Sequence, residues 1–136
     1  MKGKLLLTSI FIISIIAVVL IRELTSANDL LLNTEVDLGN VNIDSKKEFE
    51  VALINPSYNE FELTKAYTSC GCTRLIEQES SAMPLVIKPG KTAQVLFEFD
   101  PSSMHVKGDE INHEVYFLIT NPIEKEYKVK ITGKII

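Results

Sequence analysis

Apolar and polar residues alternate along most of the chain after the polar stretch 26–29. The alternation is clearest in four runs, Phe49–Leu53, Val95–Phe99, Val115–Ile119 and Tyr127–Ile131. Residues two apart on a strand share one face, so each run can turn its apolar side chains to one side of a sheet. Helical spacing is nearly absent from this part of the chain. The pattern therefore predicts an all-β domain.

Weaker runs of the same kind and a series of turn residues lie between the clear strands. The weaker runs are at 34–38, 41–43, 61–67, 74–76 and 85–87. Turn signals occur at Gly39, Asn55-Pro56, Pro89-Gly90, Asp100-Pro101, Lys107-Gly108-Asp109 and Asn121-Pro122. Pro presets one backbone dihedral and Gly accepts a positive φ, which is why these residues mark turns. Seven or eight short strands without intervening helices predict two packed antiparallel sheets, with a closed barrel as the alternative.

The N-terminal segment differs in composition from the rest of the chain. Residues 5–21 carry no charge and lie between Lys2 and Lys4 on one side and Arg22 and Glu23 on the other. This length exceeds the roughly 7 to 15 apolar residues of a typical signal peptide and reaches the lower limit, about 17, of a membrane-spanning helix. The segment therefore predicts one transmembrane helix that serves as a signal anchor.

The flanking charges predict the orientation of this anchor. Positive residues tend to stay in the cytoplasm, and both lysines precede the apolar run. We therefore divide the chain into an anchor at 1–27 and one domain at 28–136, held at the inner (cytoplasmic) membrane and facing the periplasm or the outside. Small residues at 25–27 allow cleavage after Ala27 as the alternative, which would release the domain as a secreted or periplasmic protein.

The predicted domain is acidic. The sequence has 14 basic and 18 acidic residues, and 11 and 17 remain once Lys2, Lys4, Arg22 and Glu23 are removed with the leader, a net charge of −6. A domain of this charge repels phosphate backbones, so we expect no nucleic-acid partner.

The two cysteines, Cys70 and Cys72, are separated only by Gly71. In a regular strand their Cβ atoms would lie about 6.6 Å apart, whereas a disulfide needs about 3.5 to 4.5 Å. A disulfide would therefore require a bend at Gly71, and glycine permits bends. A second interpretation is capture of a soft metal such as Cu(I), with Met104 and His105 as further ligands. A third interpretation is that both side chains are purely structural.

The chain offers little else for metal binding or catalysis. Met83 and His113 are additional candidate metal ligands, without a telling spacing. The only bases for neutral pH are His105, in the loop after Asp100-Pro101, and His113, which the alternating run beside it predicts to point to solvent. No nucleophile elbow, zinc-protease motif or phosphate-binding glycine loop is present. We therefore expect no enzyme activity and no cofactor.

Several segments resemble the bacterial family catalogued as domain of unknown function 1573. They are Val36–Val41, Leu53–Asn55, Ser69–Thr73 with its Ser-Cys-Gly-Cys-Thr motif, Ile87–Gly90, Phe97–Pro101 and Ile131–Gly133. The resemblance covers roughly residues 34–134. It implies an immunoglobulin-like antiparallel β-sandwich, related to the major-sperm-protein and pilus-chaperone architecture.

These observations predict a non-enzymatic, exported and membrane-associated module for protein interaction or assembly in the cell envelope. The partner would be another envelope or membrane protein, since sandwich edges expose backbone groups that can pair with a partner strand. The alternative is a thiol redox or copper-handling protein that works through Cys70 and Cys72. The oligomeric state does not follow from the sequence.

Overall fold

The structure is a computed structural model that describes residues 12–17, 29–76 and 82–136. Residues 12–17 are helical. Within the described ranges, no helix combines the length and the apolar character that a bilayer crossing requires. Most of the predicted anchor at 5–21 and the cleavage position at Ala27 lie outside the described residues.

Eight β-strands lie in the described ranges 29–76 and 82–136. They are β1 (Glu35–Val41), β2 (Lys47–Ile54), β3 (Phe61–Thr68), β4 (Thr73–Ile76), β5 (Leu85–Ile87), β6 (Thr92–Phe99), β7 (Glu110–Asn121) and β8 (Lys125–Ile135), with a short 3-10 turn at Pro101–Ser103. All four clear alternating runs lie within strands, which confirms the all-β prediction. The weak run at 41–43 is not a strand of its own, because Val41 ends β1 and Ile43 lies beyond it.

The strands form two sheets. The larger has five strands in the order β1-β8-β7-β3-β5, and the smaller has three in the order β2-β6-β4. The prediction of wholly antiparallel sheets is wrong at one edge, because β1 runs parallel to β8 and pairs Val36 with Ile131. The chain first touches the small sheet, where Leu31 bridges Ile54, and then crosses to the large one. Alternation assigns a residue to a face but does not specify the neighbouring strand.

Two glycines allow β1 and β8 to approach each other closely. The pairing register shifts between Asp37 and Asn40, and Gly39 within this bulge has a φ of 64°. On β8, a Cβ added to Gly133 would lie only 2.8 Å from the carbonyl oxygen of Gly39. A left-handed dihedral and a close backbone contact both favour glycine.

The inward faces of the two sheets share one hydrophobic core. At its centre the ring of Phe97 stacks on Phe49 at 5.5 Å between centroids and meets Phe117 edge-on at 5.9 Å. The inward positions predicted from alternation are buried, except for Tyr127, which is half-buried. The buried ones are Phe49, Val51, Leu53, Val95, Phe97, Phe99, Val115, Phe117, Ile119, Val129 and Ile131. Burial of this apolar surface is the main source of stability.

A buried asparagine organises one end of the sandwich. The side-chain amide of Asn55 donates to the carbonyl oxygens of Asn59 and Ile87, both at 2.8 Å, and the Ser57 hydroxyl donates to its Oδ1 at 2.8 Å. The backbone N–H of Gly90 donates to the Asn55 carbonyl at 2.9 Å. These bonds tie the β2–β3 loop to the β5–β6 turn. The cysteine pair lies at the opposite end.

Candidate functional site

Two loops at that opposite end hold the side chains that could react or bind a metal. The β3–β4 connection contains Cys70 and Cys72, and the β6–β7 connection contains Met104 and His105. The backbone N–H of Asp100 donates to the carbonyl oxygen of Cys72 at 2.7 Å and so joins the two loops. This bond holds the cysteine pair of one loop next to Met104 and His105 of the other.

Cys70 and Cys72 form a disulfide, with their Cα atoms 5.2 Å apart. The chain turns at Gly71, and the N–H of Thr73 donates to the Cys70 carbonyl at 3.2 Å. The segment therefore departs from strand geometry, as a disulfide between these two positions requires. However, Gly71 does not have a positive φ, and an added Cβ would meet only the sulfur of Met104, at an ordinary contact distance of 3.7 Å. The bend therefore does not require the conformational freedom of glycine.

His105 lies beside the cysteine pair. One of its ring nitrogens and the two sulfur atoms lie within 4.8 Å of one another. Its Nδ1 is 3.5 Å from Oδ2 of Asp109, whereas its Nε2 is buried and has no hydrogen-bond partner among the described residues. The Phe99 ring packs 5.6 Å from the imidazole. The site thus has one imidazole nitrogen whose bonding capacity is unused.

His113 is buried, so the prediction that it points to solvent is wrong. Its side chain lies on the inward face of β7, its Nε2 is 2.8 Å from the Thr73 hydroxyl, and its ring stacks on Phe99. Burial lowers the pKa of His113, and the charge of nearby His105 lowers it further. The signal for burial was present in the sequence, because His113 is two residues before Val115 and therefore shares its face.

The structure brings together only part of the predicted metal-ligand set. Cys70, Cys72 and His105 form one cluster, and the Met104 sulfur lies nearby, 3.7 Å from where a Cβ added to Gly71 would be. Met83 instead packs against the hydrophobic core, and Nε2 of His113 is hydrogen-bonded to the Thr73 hydroxyl.

Sequence reasoning missed Asp109, the carboxylate that contacts His105. The signal that could have found it is its position four residues after the histidine. Asp109 Oδ2 also accepts the backbone N–H of Val106 at 2.9 Å, which fixes the loop around the imidazole.

A charged cluster lies beside the disulfide. Glu98 Oε1 is 2.8 Å from Nη2 of Arg74 and 3.0 Å from Nζ of Lys46, and Lys46 is also 3.5 Å from Asp100. These side chains and Cys72 border a shallow cavity of about 130 Å³. The hydroxyl of Ser102 lowers the pKa of Asp100 by hydrogen bonding to its carboxylate. The cluster is balanced in charge and places no base against a nucleophile, so it does not resemble a hydrolytic site.

The outer face of the three-stranded sheet exposes apolar side chains near the start of the domain. Leu31 is 55% exposed and Ile54 is 41% exposed. With Leu32 and Ala52 they border a groove of about 200 Å³. We call the outward surface of β2, β6 and β4, together with Leu31, the small-sheet face.

The free edge of β2 adjoins this face. Leu31 and Ile54 exchange two backbone hydrogen bonds of 2.9 Å, so the backbone of Ile54 points away from β6. Backbone groups two residues apart point to the same edge, which places those of Ala52, Glu50 and Glu48 there as well. Among the described residues, none pairs with these three. The edge is therefore open to another strand.

The outer face of the five-stranded sheet is different. The rings of Tyr67 and Tyr116 stack at 4.9 Å, and the Tyr116 hydroxyl donates to Glu114 at 2.5 Å. Lys128 Nζ lies 3.3 Å from Glu114, and the Tyr67 hydroxyl donates to Glu126. These polar groups are satisfied within the chain.

Comparison with known proteins identifies a family and a fold. The family described as "Protein of unknown function (DUF1573)" matches residues 31–135, which is most of the chain. The match does not single out the Ser-Cys-Gly-Cys-Thr motif, whose role as a family signature stays a prediction. No curated protein matches the sequence.

Solved structures with similar folds have low sequence identity. A protein of unknown function from Porphyromonas gingivalis W83 has a TM-score of 0.63 at 16% identity, over 77% of this chain and 46% of its own. The PapD-like domain 7 of human CEP192 has a TM-score of 0.58 at 10% identity, over 81% of this chain and 87% of its own. The E. coli chaperone DraB has a TM-score of 0.55 at 11% identity, over 78% of this chain and 54% of its own. The chain thus spans about half the length of the first and third of these proteins.

These likenesses concern the fold. They confirm an immunoglobulin-like sandwich of the PapD-like kind, as the sequence predicted from its resemblance to the family. The relation to the major-sperm-protein architecture stays a prediction.

Proposed function

The chain belongs to the DUF1573 family, and we propose that its domain is a non-enzymatic protein-interaction module of the cell envelope. Residues 5–21 anchor it in the inner membrane and residues 28–136 lie on the periplasmic side. Its partner is an envelope or membrane protein that adds an extended strand to the β2 edge and covers the small-sheet face.

The observation that carries this proposal is the open edge of β2 beside exposed Leu31 and Ile54. Backbone pairing along an edge supplies affinity, and side-chain contacts on the adjoining face supply specificity. Glu48 and Glu50 alternate along this edge and favour a partner strand with basic side chains next to its apolar ones. The groove near Ile54 can receive one such apolar side chain.

The fold supports an interaction role by analogy. DraB, which shares this sandwich, is described as a chaperone, a class of protein that works by contact with other proteins. Fold alone does not determine function, so the surface described above has to carry the specific claim.

Two features support export. The first is the uncharged run at 5–21 preceded by lysines, which is typical of a signal anchor. The second is the Cys70–Cys72 disulfide, because such bonds persist mainly in oxidising compartments outside the cytoplasm.

The test is purification of the full-length chain from native membranes in detergent. We expect one or more partners in stoichiometric amounts with the unmodified chain. We expect their loss with Ile54→Gln, which places a polar group in the groove. The matched control is Ile123→Gln, because Ile123 is also an exposed isoleucine but lies in the β7–β8 turn.

Two results would contradict the proposal. One is a monodisperse protein without partners from membranes that contain it at its natural level. The other is equal loss of partners in both variants, which would assign the contact to general surface hydrophobicity rather than to the small-sheet face.

A further inference from the structure

We propose that Cys70, Cys72 and His105 form a Cu(I) site once the disulfide is reduced, with Met104 as a weak fourth donor. This site is at the opposite end of the sandwich from the groove near Ile54, and it does not depend on the proposed interaction role.

The donor atoms already lie together. The two sulfur atoms and a ring nitrogen of His105 are within 4.8 Å of one another, so small side-chain rotations can bring all three to one ion. Cys72 is 2% exposed, whereas Cys70 and His105 are half-buried. An ion can therefore reach the site from the Cys70 side and still be held away from bulk water.

The histidine is preorganised as a ligand. The Asp109 carboxylate lies against Nδ1 and favours the proton there, which leaves the lone pair on Nε2. That nitrogen is buried without a hydrogen-bond partner in the described part of the chain. The His105 backbone N–H donates to the Pro101 carbonyl at 3.0 Å, and Phe99 packs against the ring. An imidazole that has an unused nitrogen and lies beside two sulfurs is the arrangement a metal site requires.

The donor set selects the metal. Thiolates and thioethers are soft ligands that favour Cu(I), and imidazole also binds copper. Zinc prefers four strong ligands in a closed tetrahedron, and this cluster offers three, with only the Met104 thioether nearby. The site therefore fits Cu(I) better than Zn²⁺.

Loading requires a reductant. A dithiol transfers two electrons and two protons to the Cys70–Cys72 bond, which yields two thiols while the dithiol becomes a disulfide. Cu(I) then displaces the two thiol protons and forms two copper–sulfur bonds and one copper–nitrogen bond. Exchange with the disulfide form of that dithiol, which takes up two electrons, would re-form the Cys70–Cys72 bond and release the ion, so the redox state of the pair controls occupancy.

The test is an anaerobic titration of the full-length protein in detergent with Cu(I), against a chromophoric Cu(I) chelator. We expect one Cu(I) per reduced chain and none per oxidised chain. X-ray absorption of the loaded protein should show about two thiolate sulfur ligands and one nitrogen ligand, with the Met104 thioether as a weaker sulfur contact. We expect His105→Gln to weaken binding by at least about tenfold.

The matched control is His113→Gln, which removes a histidine outside the cluster and should leave the affinity unchanged. Binding by the Cys70→Ser/Cys72→Ser chain as tight as by the reduced protein would overturn the proposal. So would a loaded site without a nitrogen ligand, a measurement that needs no variant, or preference for Zn²⁺ in competition with Cu(I).

Discussion

The outer faces of the two sheets differ in how their side chains are satisfied. On the five-stranded sheet, Tyr67 and Tyr116 stack and Glu114 pairs with Lys128, so these polar groups find partners within the chain, although Val86 of the edge strand β5 is exposed. On the three-stranded sheet, Leu31 and Ile54 expose apolar surface beside a backbone edge that no described residue pairs. Polar groups satisfied in this way need no ligand. The difference therefore directs the search for a partner to the smaller sheet.

The largest expected effect comes from the core beneath the small-sheet face. Phe97→Ala removes a side chain that is fully buried between Phe49 and Phe117, and we expect it to lower the free energy of unfolding by about 3 to 5 kcal/mol. Gln94→Ala, an outward position on the same strand, should change it by less than about 0.5 kcal/mol. Urea unfolding measures both. Similar losses for the two variants would contradict the assignment of the faces.

The core could be predicted from the sequence because its signal is local. Phe49, Val51 and Leu53 alternate with Glu48, Glu50 and the small Ala52, and this period alone places them on one face. The parallel pairing of β1 with β8 could not be predicted, because it joins the two ends of the domain. The site was predicted in part. The two cysteines, one residue apart, are visible in the sequence as a candidate pair, whereas the contact of His105 with them depends on how two distant loops meet.

The next effect concerns the hydrogen bond that connects the sheets. Thr73→Val keeps the shape of the side chain but leaves Nε2 of His113 without its partner, so we expect a loss of about 1 to 3 kcal/mol in stability. Thr120→Val, at an exposed position on the outer face of β7, is the control and should have little effect. Equal midpoints for Thr73→Val and the unmodified chain in thermal unfolding would contradict the role of this bond.

The buried histidine should also make stability depend on pH. Its pKa is lowered in the folded protein, mainly by burial, so the unfolded chain binds the proton more readily. The stability from neutral His113 is complete above its ordinary pKa of about 6.5 and is lost as the pH falls below that value. We expect unfolding free energies measured from about pH 7 to 5 to fall less steeply for His113→Gln. An identical pH dependence of the unfolding free energy for the two proteins would contradict the lowered pKa of His113.

The β2 edge allows a test of strand pairing that spares the fold. The N–H of Glu50 points away from β6, so Glu50→Pro removes no bond of the sheet but blocks a partner strand. We expect about tenfold weaker partner binding with this variant, from one lost backbone bond and the clash of the ring. Glu50→Ala removes the carboxylate, keeps the N–H and serves as control. Equal affinities for the two variants would exclude strand addition at this edge.

The smallest effect is expected on the five-stranded sheet. Lys128→Met breaks the contact with Glu114 on the outer face, and exposed ion pairs contribute little to stability. We expect an almost unchanged thermal midpoint and unchanged partner binding. Loss of the partner in pull-down from native membranes would show that this face, too, takes part in recognition.

Site-specific photocrosslinking in native membranes tests the central claim most directly. A photoreactive residue replaces Gln94, exposed on the outer face of β6, or Thr120, exposed on the outer face of β7, in the full-length chain. We predict a crosslinked partner of one defined mass from position 94 and none from position 120. Crosslinks of equal yield from both positions, or from position 120 alone, would contradict docking on the three-stranded sheet.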